Sequence, residues 1–343
     1  MYKIGIIGAT GYTGSELVRL LYTHPQVEIV TITSESHQGK SFSDIHPQFT
    51  GLVDITLEPA EVVESKNPDL IFLALPHGVS MDFVKRLANT DAKIIDLSGD
   101  FRLSSKEVYE EWYQQPHTYP QGFDDAVFGL PELYRDSIRE ARLVANPGCF
   151  PTGAILATAP LLKEAMIDPA RIFIDSKTGV TGAGIKAKAV THFPNVNDNF
   201  KAYGIKKHRH TIEIQETVSH FSGKNATVQF TPHLLPVDRG ILTSAYSIPV
   251  KETSATEIRN IFEKYYRNEP FIRLRSESPE LKNVRGTNLA DIYPAYDERT
   301  GNIMVFAAID NLVKGAAGQA IQNMNIMLGI EEAEGLNLIP LQP

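Results

Sequence analysis

The chain has 343 residues, 42% of them apolar and 22% charged, with a formal net charge of −8. That length is too great for one small core and predicts two domains of about 100–200 residues each. The acidic balance argues against nucleic acid as a bulk partner. No run of about 18 apolar residues offers a membrane span, and a single cysteine excludes an internal disulfide or a thiolate-rich metal site.

The elements alternate from the first residues. KIGIIG (3–8) is a short apolar strand ending in glycine, and it begins the fold where a signal peptide would otherwise stand. GSELVRLLYTH (14–24) carries Leu17, Val18, Leu20 and Leu21 at helical spacing and stops at His24-Pro25. VEIVTIT (27–33) is a β-branched strand, DLIFLAL (69–75) a buried one, VSMDFVKRLA (79–88) an amphipathic helix, and AKIIDLS (92–98) and ARLVAN (141–146) further buried strands. Apolar strands separated by helices predict β-α-β units and a parallel sheet. After residue 150 the strands alternate in polarity: RIFIDSKTG (171–179), ATVQFTPHLL (226–235), ILTSAYSIPV (241–250) and NIMVFAAID (302–310). They predict a mixed or antiparallel sheet. A capped helix is expected over 253–270 and a last one, rich in small residues at its start, over 314–330. The fold class is therefore α/β: a Rossmann-type cofactor domain over 1–148, joined by helix 314–330, and an α+β domain over 149–313.

GATGYTG (8–14) sits between the first strand and the first helix. In that context Gly8, Thr10, Gly11, Tyr12, Thr13 and Gly14 form a turn whose backbone approaches a pyrophosphate, with the helix N-terminus supplying free N–H groups and partial positive charge. The spacing is GxxGxxG rather than GxGxxG. The second strand ends in TSES (33–36), where Ser34 and Ser36, with Lys40 nearby, suit the 2′-phosphate of NADP; Glu35 would serve NAD if it pointed inward. The reading leans to NADP(H).

The lone thiol, Cys149, lies in NPGCFPT (146–152), between a Pro-Gly turn and a helix start marked by Pro151. A helix N-terminus favours thiolate, the nucleophilic form. Beside a nicotinamide, a thiolate implies a thioester that is reduced by, or formed through, hydride transfer. KKHRHTIEI (206–214) supplies the acid–base partner as His208 or His210, in a basic stretch suited to an anionic substrate. The His-x-His spacing lacks further ligands, so no metal is expected.

At GATGYTGSELVRLL, DLSGDFRL (96–103), FGLPEL (128–133), NPGCFPTG, TGVTGAG (178–184), HRHTIEI (208–214), PVDRGIL (236–242) and DNLVKGAAGQAIQNMN (310–325) the chain resembles the N-acetyl-γ-glutamyl-phosphate reductase family. The resemblance runs in order over nearly the whole length and extends more distantly to aspartate-semialdehyde dehydrogenase. It implies NADPH-dependent reductive dephosphorylation of an acyl phosphate to an aldehyde in arginine biosynthesis, by a dimer or tetramer; the single cysteine separately suits a reducing, cytoplasmic home. It makes Cys149 the nucleophile and one of His208 and His210 the acid–base group, with His208 preferred. It casts Arg102 as a phosphate-binding residue helped by Lys186 or Lys207, places Gly179 and Gly182 in a loop close to the cysteine and cofactor, and sets Asn311, Gly315 and Ala316 at the start of the last helix, near the nicotinamide. The chain departs from the family in having Ile212 where proline is usual, and Pro160 is expected to kink or end the helix after Cys149. Two other readings stand beside this one: a reductase of a carrier-linked aminoadipyl or glutamyl phosphate, and a non-catalytic NADP-binding redox sensor.

Overall fold

A computed structural model describes residues 1–342. The chain divides into two units: Met1–Pro147 with Ala316–Asn337, and Gly148–Gly315 with the residues from Leu338 onward.

In the first unit the order is β1 (Tyr2–Ile7), α1 (Tyr12–Leu21), β2 (Val27–Thr33), β3 (Leu70–Leu73), α2 (Ser80–Leu87), β4 (Lys93–Asp96), α3 (Lys106–Tyr113), β5 (Ala126–Phe128), α4 (Pro131–Glu140) and β6 (Leu143–Ala145). The six strands form one parallel sheet in the order β2-β1-β3-β4-β6-β5. Parallel strands covered on both faces must be apolar throughout. Accordingly Leu70 to Leu73 are all buried, as are Ile4, Ile6, Ile7, Ile94 and Ile95. Leu17, Val18, Leu20 and Leu21 cover the sheet from α1, each stabilising the fold by about 1.5–3 kcal/mol. Because β2 and β3 flank β1 on opposite sides, the chain reverses direction at the carboxyl end of β1. That reversal opens the crevice in which such sheets bind ligands. β5 was not expected, because three residues between acidic Asp124-Asp125 and Gly129 carry no periodicity.

In the second unit α5 (Cys149–Lys163) is followed by β7 (Ile172–Thr178), β8 (Lys201–Ala202), α6 (His210–Ser222), β9 (Val228–Leu234), β10 (Ile241–Ser247), α7 (Ala255–Tyr266), β11 (Ile272–Leu274), β12 (Ala290–Asp297) and β13 (Asn302–Ile309). The mixed sheet runs β11-β12-β13-β10-β7-β9-β8, antiparallel across β12-β13-β10-β7 and β9-β8, parallel at β11-β12 and β7-β9. The helices α5 and α7 pack on one face of it. Every residue of α5 from Phe150 to Leu162 is buried, so this helix is apolar all round, as a core helix must be. Pro160 neither ends it nor stops it short of Lys163. Proline removes the amide that would reach the carbonyl of Leu156, and the Tyr266 hydroxyl donates to that carbonyl instead, at 2.8 Å.

The expected helix 314–330 is two pieces. A wide π-type turn spans Val313–Ala317, and an α-helix with every residue buried spans Gly318–Met327. The helix lies within the first unit. The turn is widened by Asp310, whose carbonyl accepts from the Gly315 amide at 2.9 Å and whose carboxylate accepts from Leu312 and Val313.

Candidate active site

The glycine loop is shaped by contact on two sides and left open on a third. Gly8 has φ +89°, and a Cβ there would stand 2.5 Å from the Ala74 carbonyl oxygen. A Cβ on Gly14 would stand 2.4 Å from the Gly8 carbonyl oxygen. Only glycine allows these approaches. At Gly11, the residue that caps α1, a Cβ would meet no atom within 4 Å. The first turn of α1 holds no acidic residue, so its N-terminus faces that opening with its partial positive charge unopposed. Ala9 donates to the Thr33 carbonyl at 3.0 Å, the Thr10 and Ser34 hydroxyls share a hydrogen bond at 3.1 Å, and the His46 ring lies 3.2 Å from the Thr10 carbonyl. The cradle fits a dinucleotide pyrophosphate. Gly11→Ala should leave the melting temperature unchanged, because the methyl meets open space at φ −78°, and weaken cofactor binding by about tenfold or more if that space receives the cofactor phosphate. Equilibrium titration of the folded variant checks this. Ser34 is buried with its hydroxyl turned to the loop, whereas Glu35, Ser36 and Lys40 are exposed.

The carboxyl end of β4 carries two fully buried acids, Asp96 and Asp100. Burial, and then the neighbouring Asp100, push the Asp96 carboxyl above the usual range. Asp100 accepts from the amides of Gly78 and Met81 and from the Tyr109 hydroxyl. Arg102 donates Nε to the Asn146 carbonyl at 2.7 Å and one Nη to the Leu97 carbonyl at 2.8 Å. Its guanidinium therefore ties the ends of β4 and β6 together.

In the second unit Cys149 is the first residue of α5, after Gly148 in extended conformation, and is partly exposed. The Gly148 amide donates to the buried Glu213 carboxylate at 2.7 Å. A Cβ on Gly148 would stand 2.5 Å from His210 Nε2. The His210 imidazole thus lies against the backbone immediately before the thiol. His210 opens α6 and Glu213 follows one turn later, so both point to the same stretch. Ile212 is buried in that first turn, and the helix starts without the proline. His208 lies 4.9 Å from His210, ring centre to ring centre, in a box of Phe150, Tyr203 and Phe230 at 5.4, 5.5 and 5.6 Å. Its Nδ1 accepts from the His210 amide at 3.3 Å. Burial, and then the Arg209 guanidinium, push its pKa down to about 4. Tyr203 is raised by burial and by the charge of Cys149, which puts the phenol in the thiol's surroundings.

Asn311 is buried and holds the 178–184 loop in place: its side-chain oxygen accepts from the Gly240 amide at 2.7 Å and its nitrogen donates to Thr181 at 2.9 Å. A Cβ on Gly179 would strike Asp238 at 2.6 Å, and Gly182 lies 3.9 Å from the Asn311 amide nitrogen by the same measure. Lys186 and Lys207 are exposed. The structure thus gathers Gly8 to Gly14 and Ser34 in the first unit and Cys149, His208 and His210 in the second, with Gly179, Gly182 and Asn311 in the second unit as well. Sequence reasoning missed the contacts of Glu213 and Tyr203. The i, i+3 spacing from His210 was the available signal for Glu213; Tyr203 had none. Among the described residues no group of three or more His, Cys, Asp or Glu is placed to hold a metal ion, and no helix is long and apolar enough to cross a membrane.

Comparison with known proteins agrees with this architecture. Residues 3–141 match the model of the semialdehyde dehydrogenase NAD binding domain, and residues 149–311 that of the semialdehyde dehydrogenase dimerisation domain. Aspartate semialdehyde dehydrogenase II of Vibrio cholerae superposes with a TM-score of 0.74 at 17% identity, over 96% of this chain and 98% of its own. The Candida albicans aspartate semialdehyde dehydrogenase gives 0.69 at 15%, over 96% and 98%. The class is therefore a semialdehyde-dehydrogenase-type oxidoreductase with a nicotinamide-cofactor domain. N-acetyl-gamma-glutamyl-phosphate reductases from Pelotomaculum thermopropionicum and Desulfotalea psychrophila are 50% and 49% identical, over 97% and 100% of both chains respectively. The chain belongs to the N-acetyl-gamma-glutamyl-phosphate reductase family.

Proposed function

We propose that this enzyme reduces N-acetyl-γ-glutamyl phosphate to N-acetylglutamate 5-semialdehyde with release of phosphate, in the cytoplasm, as a step of arginine biosynthesis. The observation that carries the mechanism is the His210 imidazole packed on Gly148, next to the only thiol. When bound to the glycine loop, the cofactor supplies hydride to the acyl carbon. NADP is our choice: no carboxylate ends β2 inward, Glu35 being exposed, while Ser36 and Lys40 stand open to a 2′-phosphate.

His210 takes the proton of Cys149, and the thiolate adds to the acyl carbon at the amino end of α5, where backbone amides face the developing oxyanion. The C–O bond to phosphate breaks, phosphate leaves and takes up one proton from solvent, and a thioester to Cys149 remains. After reduction His210 protonates the alkoxide of the thiohemiacetal. That hydroxyl then returns its proton to His210 as the C–S bond breaks, freeing aldehyde and thiolate. One acyl phosphate, one hydride and one proton give one aldehyde and one phosphate. Glu213, hydrogen-bonded to the Gly148 amide, keeps the start of α5 in register with His210. We assign acid–base duty to His210, packed on Gly148 beside Cys149, rather than to His208, which sits among Phe150, Tyr203 and Phe230 and whose pKa, pushed down to about 4, makes it a weak base. Arg102 anchors the ends of β4 and β6 with two of its donors and joins the exposed, basic Lys186 and Lys207 as a candidate for the substrate phosphate.

The deciding experiment is the reverse reaction: nicotinamide reduction with N-acetylglutamate semialdehyde, with and without phosphate, run with NADP and with NAD. A rate that requires phosphate and prefers NADP supports the reading. Silence with this aldehyde in protein that binds NADP would transfer the proposal to a carrier-linked acyl phosphate or a redox sensor.

We also propose that the enzyme assembles through the outer face of the mixed sheet. There Phe173 and Tyr246, 44% and 41% exposed, are cross-strand partners, and Tyr293 and Phe306 stack at 6.3 Å. An open apolar face of this kind marks an interface. Light scattering should show a multimer that Tyr246→Glu dissociates; a wild-type monomer would sink the proposal.

A further inference from the structure

Gly315 stands closer to the thiol-bearing residue than any side chain permits. A Cβ built on Gly315 would lie 2.8 Å from Cys149 Cβ, 3.2 Å from Cys149 Cα and 3.3 Å from the Asp310 carbonyl oxygen. Each partner is tied to its surroundings. Cys149 begins a helix buried from Phe150 to Leu162. Gly315 sits in the π-type turn Val313–Ala317, closed by its own amide on Asp310 at 2.9 Å. Asp310 is fully buried, and its carboxylate is fixed by the amides of Gly286, Leu312 and Val313 at 2.7, 2.8 and 3.1 Å and by Arg239 at 3.6 Å. The neighbouring Lys314 is fully buried too. A π-type turn is an uncommon, widened piece of helix that tends to occur where function needs backbone placed off the regular path. This one brings a bare backbone flat against residue 149. Its φ is not in the left-handed region, so glycine is required here for space and not for conformation.

We propose that Gly315 is a positioning residue for Cys149: the clamped turn fixes where the Cys149 backbone, and with it the sulfur, can stand. The inference rests on the reading of Cys149 as nucleophile only for its catalytic consequence; the contact itself is independent of it. A methyl at 315 must displace Cys149 or the turn by several tenths of an ångström, and misplacing a reacting group by about 1 Å costs on the order of 100-fold in rate.

Gly315→Ala should therefore lower kcat by about 10- to 100-fold with the KM for cofactor little changed. It should also displace the pH profile of iodoacetamide alkylation at Cys149, read by mass spectrometry on the folded protein. A turn that merely supports the fold would lower stability and leave that profile where it was. A stability cycle provides the second arm. In a Cys149→Gly background the Cβ that the new methyl meets is gone, so the loss of melting temperature caused by Gly315→Ala should shrink by about half or more. If Gly315→Ala does not fold alone, its recovery in the Cys149→Gly background is the supporting result. The proposal is overturned by an unchanged alkylation profile, by kcat within about twofold of wild type, or by a stability loss equal in both backgrounds. Failure of the nucleophile reading looks different: Cys149→Ser would keep turning over, while the alkylation profile and the cycle would still report the contact.

Discussion

Cys149→Ser should lose turnover by a factor of ~10⁴ or more while binding cofactor as tightly as the parent. Serine keeps the Cβ against Gly315 and the hydrogen-bonding character of the side chain, so the site is left in place and only the nucleophile changes. A hydroxyl does not ionise near neutrality as a thiol can, and an alcohol ester would form slowly. The proposed cofactor cradle, Gly8 to Gly14, lies in the first unit, and residue 149 in the second. The melting temperature should hold, since the substitution is small and the side chain is partly exposed. Rapid mixing of wild-type enzyme with acyl phosphate in the absence of cofactor should leave an acyl adduct on the peptide containing Cys149, and Cys149→Ser should leave none. A Cys149→Ser enzyme that retained more than about 1% of the parental rate, beyond the residue that binding and oxyanion contacts alone supply, would remove the thioester from the scheme.

Much of the frame could be read from residue order because it depends on local rules. Apolar runs at 3–8, 69–75 and 92–98 have no choice but to be buried strands, and a glycine turn between strand and helix can only face the crevice at the sheet's carboxyl edge. The thiol was legible through its neighbours, Pro-Gly before and Phe-Pro after, which mark a helix start. What escaped depends on distance in space. β5 and β12 were passed over, the first too short for a period and the second interrupted by Pro294. Within HRHTIEI the resemblance favoured His208, yet two histidines two residues apart look equal in spacing; only the fold separates their surroundings, one packed on Gly148 and the other boxed by Phe150, Tyr203 and Phe230. Those three aromatics come from positions 150, 203 and 230, and no spacing connects them. Arg102 was legible as a cation near a strand end; that two of its donors reach the carbonyls of Leu97 and Asn146 was not, because no side-chain pattern reveals that partnership.

Separating the two histidines gives the second large effect. His210→Asn should cut kcat by ~10²–10⁴-fold, the range a positioned proton carrier contributes, with little change in cofactor affinity. It should also remove from the kcat/KM profile the limb that reports deprotonation of the base. His208→Phe should behave otherwise. The ring it replaces is already neutral at working pH, its pKa pushed down to about 4 by burial and by Arg209, and phenylalanine suits a box of Phe150, Tyr203 and Phe230. Its main effect is on the acid side of stability. An unfolded histidine titrates near 6.5, and the folded one near 4, so between these values the unfolded chain binds the extra proton. The stability that His208 contributes by being buried neutral is present above about pH 6.5 and is lost as pH falls through the window toward 4. His208→Phe removes that proton linkage, so its melting temperature should fall less steeply than the parent's below pH 6.5, while kcat changes by less than about tenfold. Thermal melts across pH 4 to 8, run beside the two pH–rate profiles, read both expectations on the same samples. If His208→Phe lost kcat as deeply as His210→Asn with an unaltered melt, the proton carrier would be His208, and the imidazole on Gly148 would be packing.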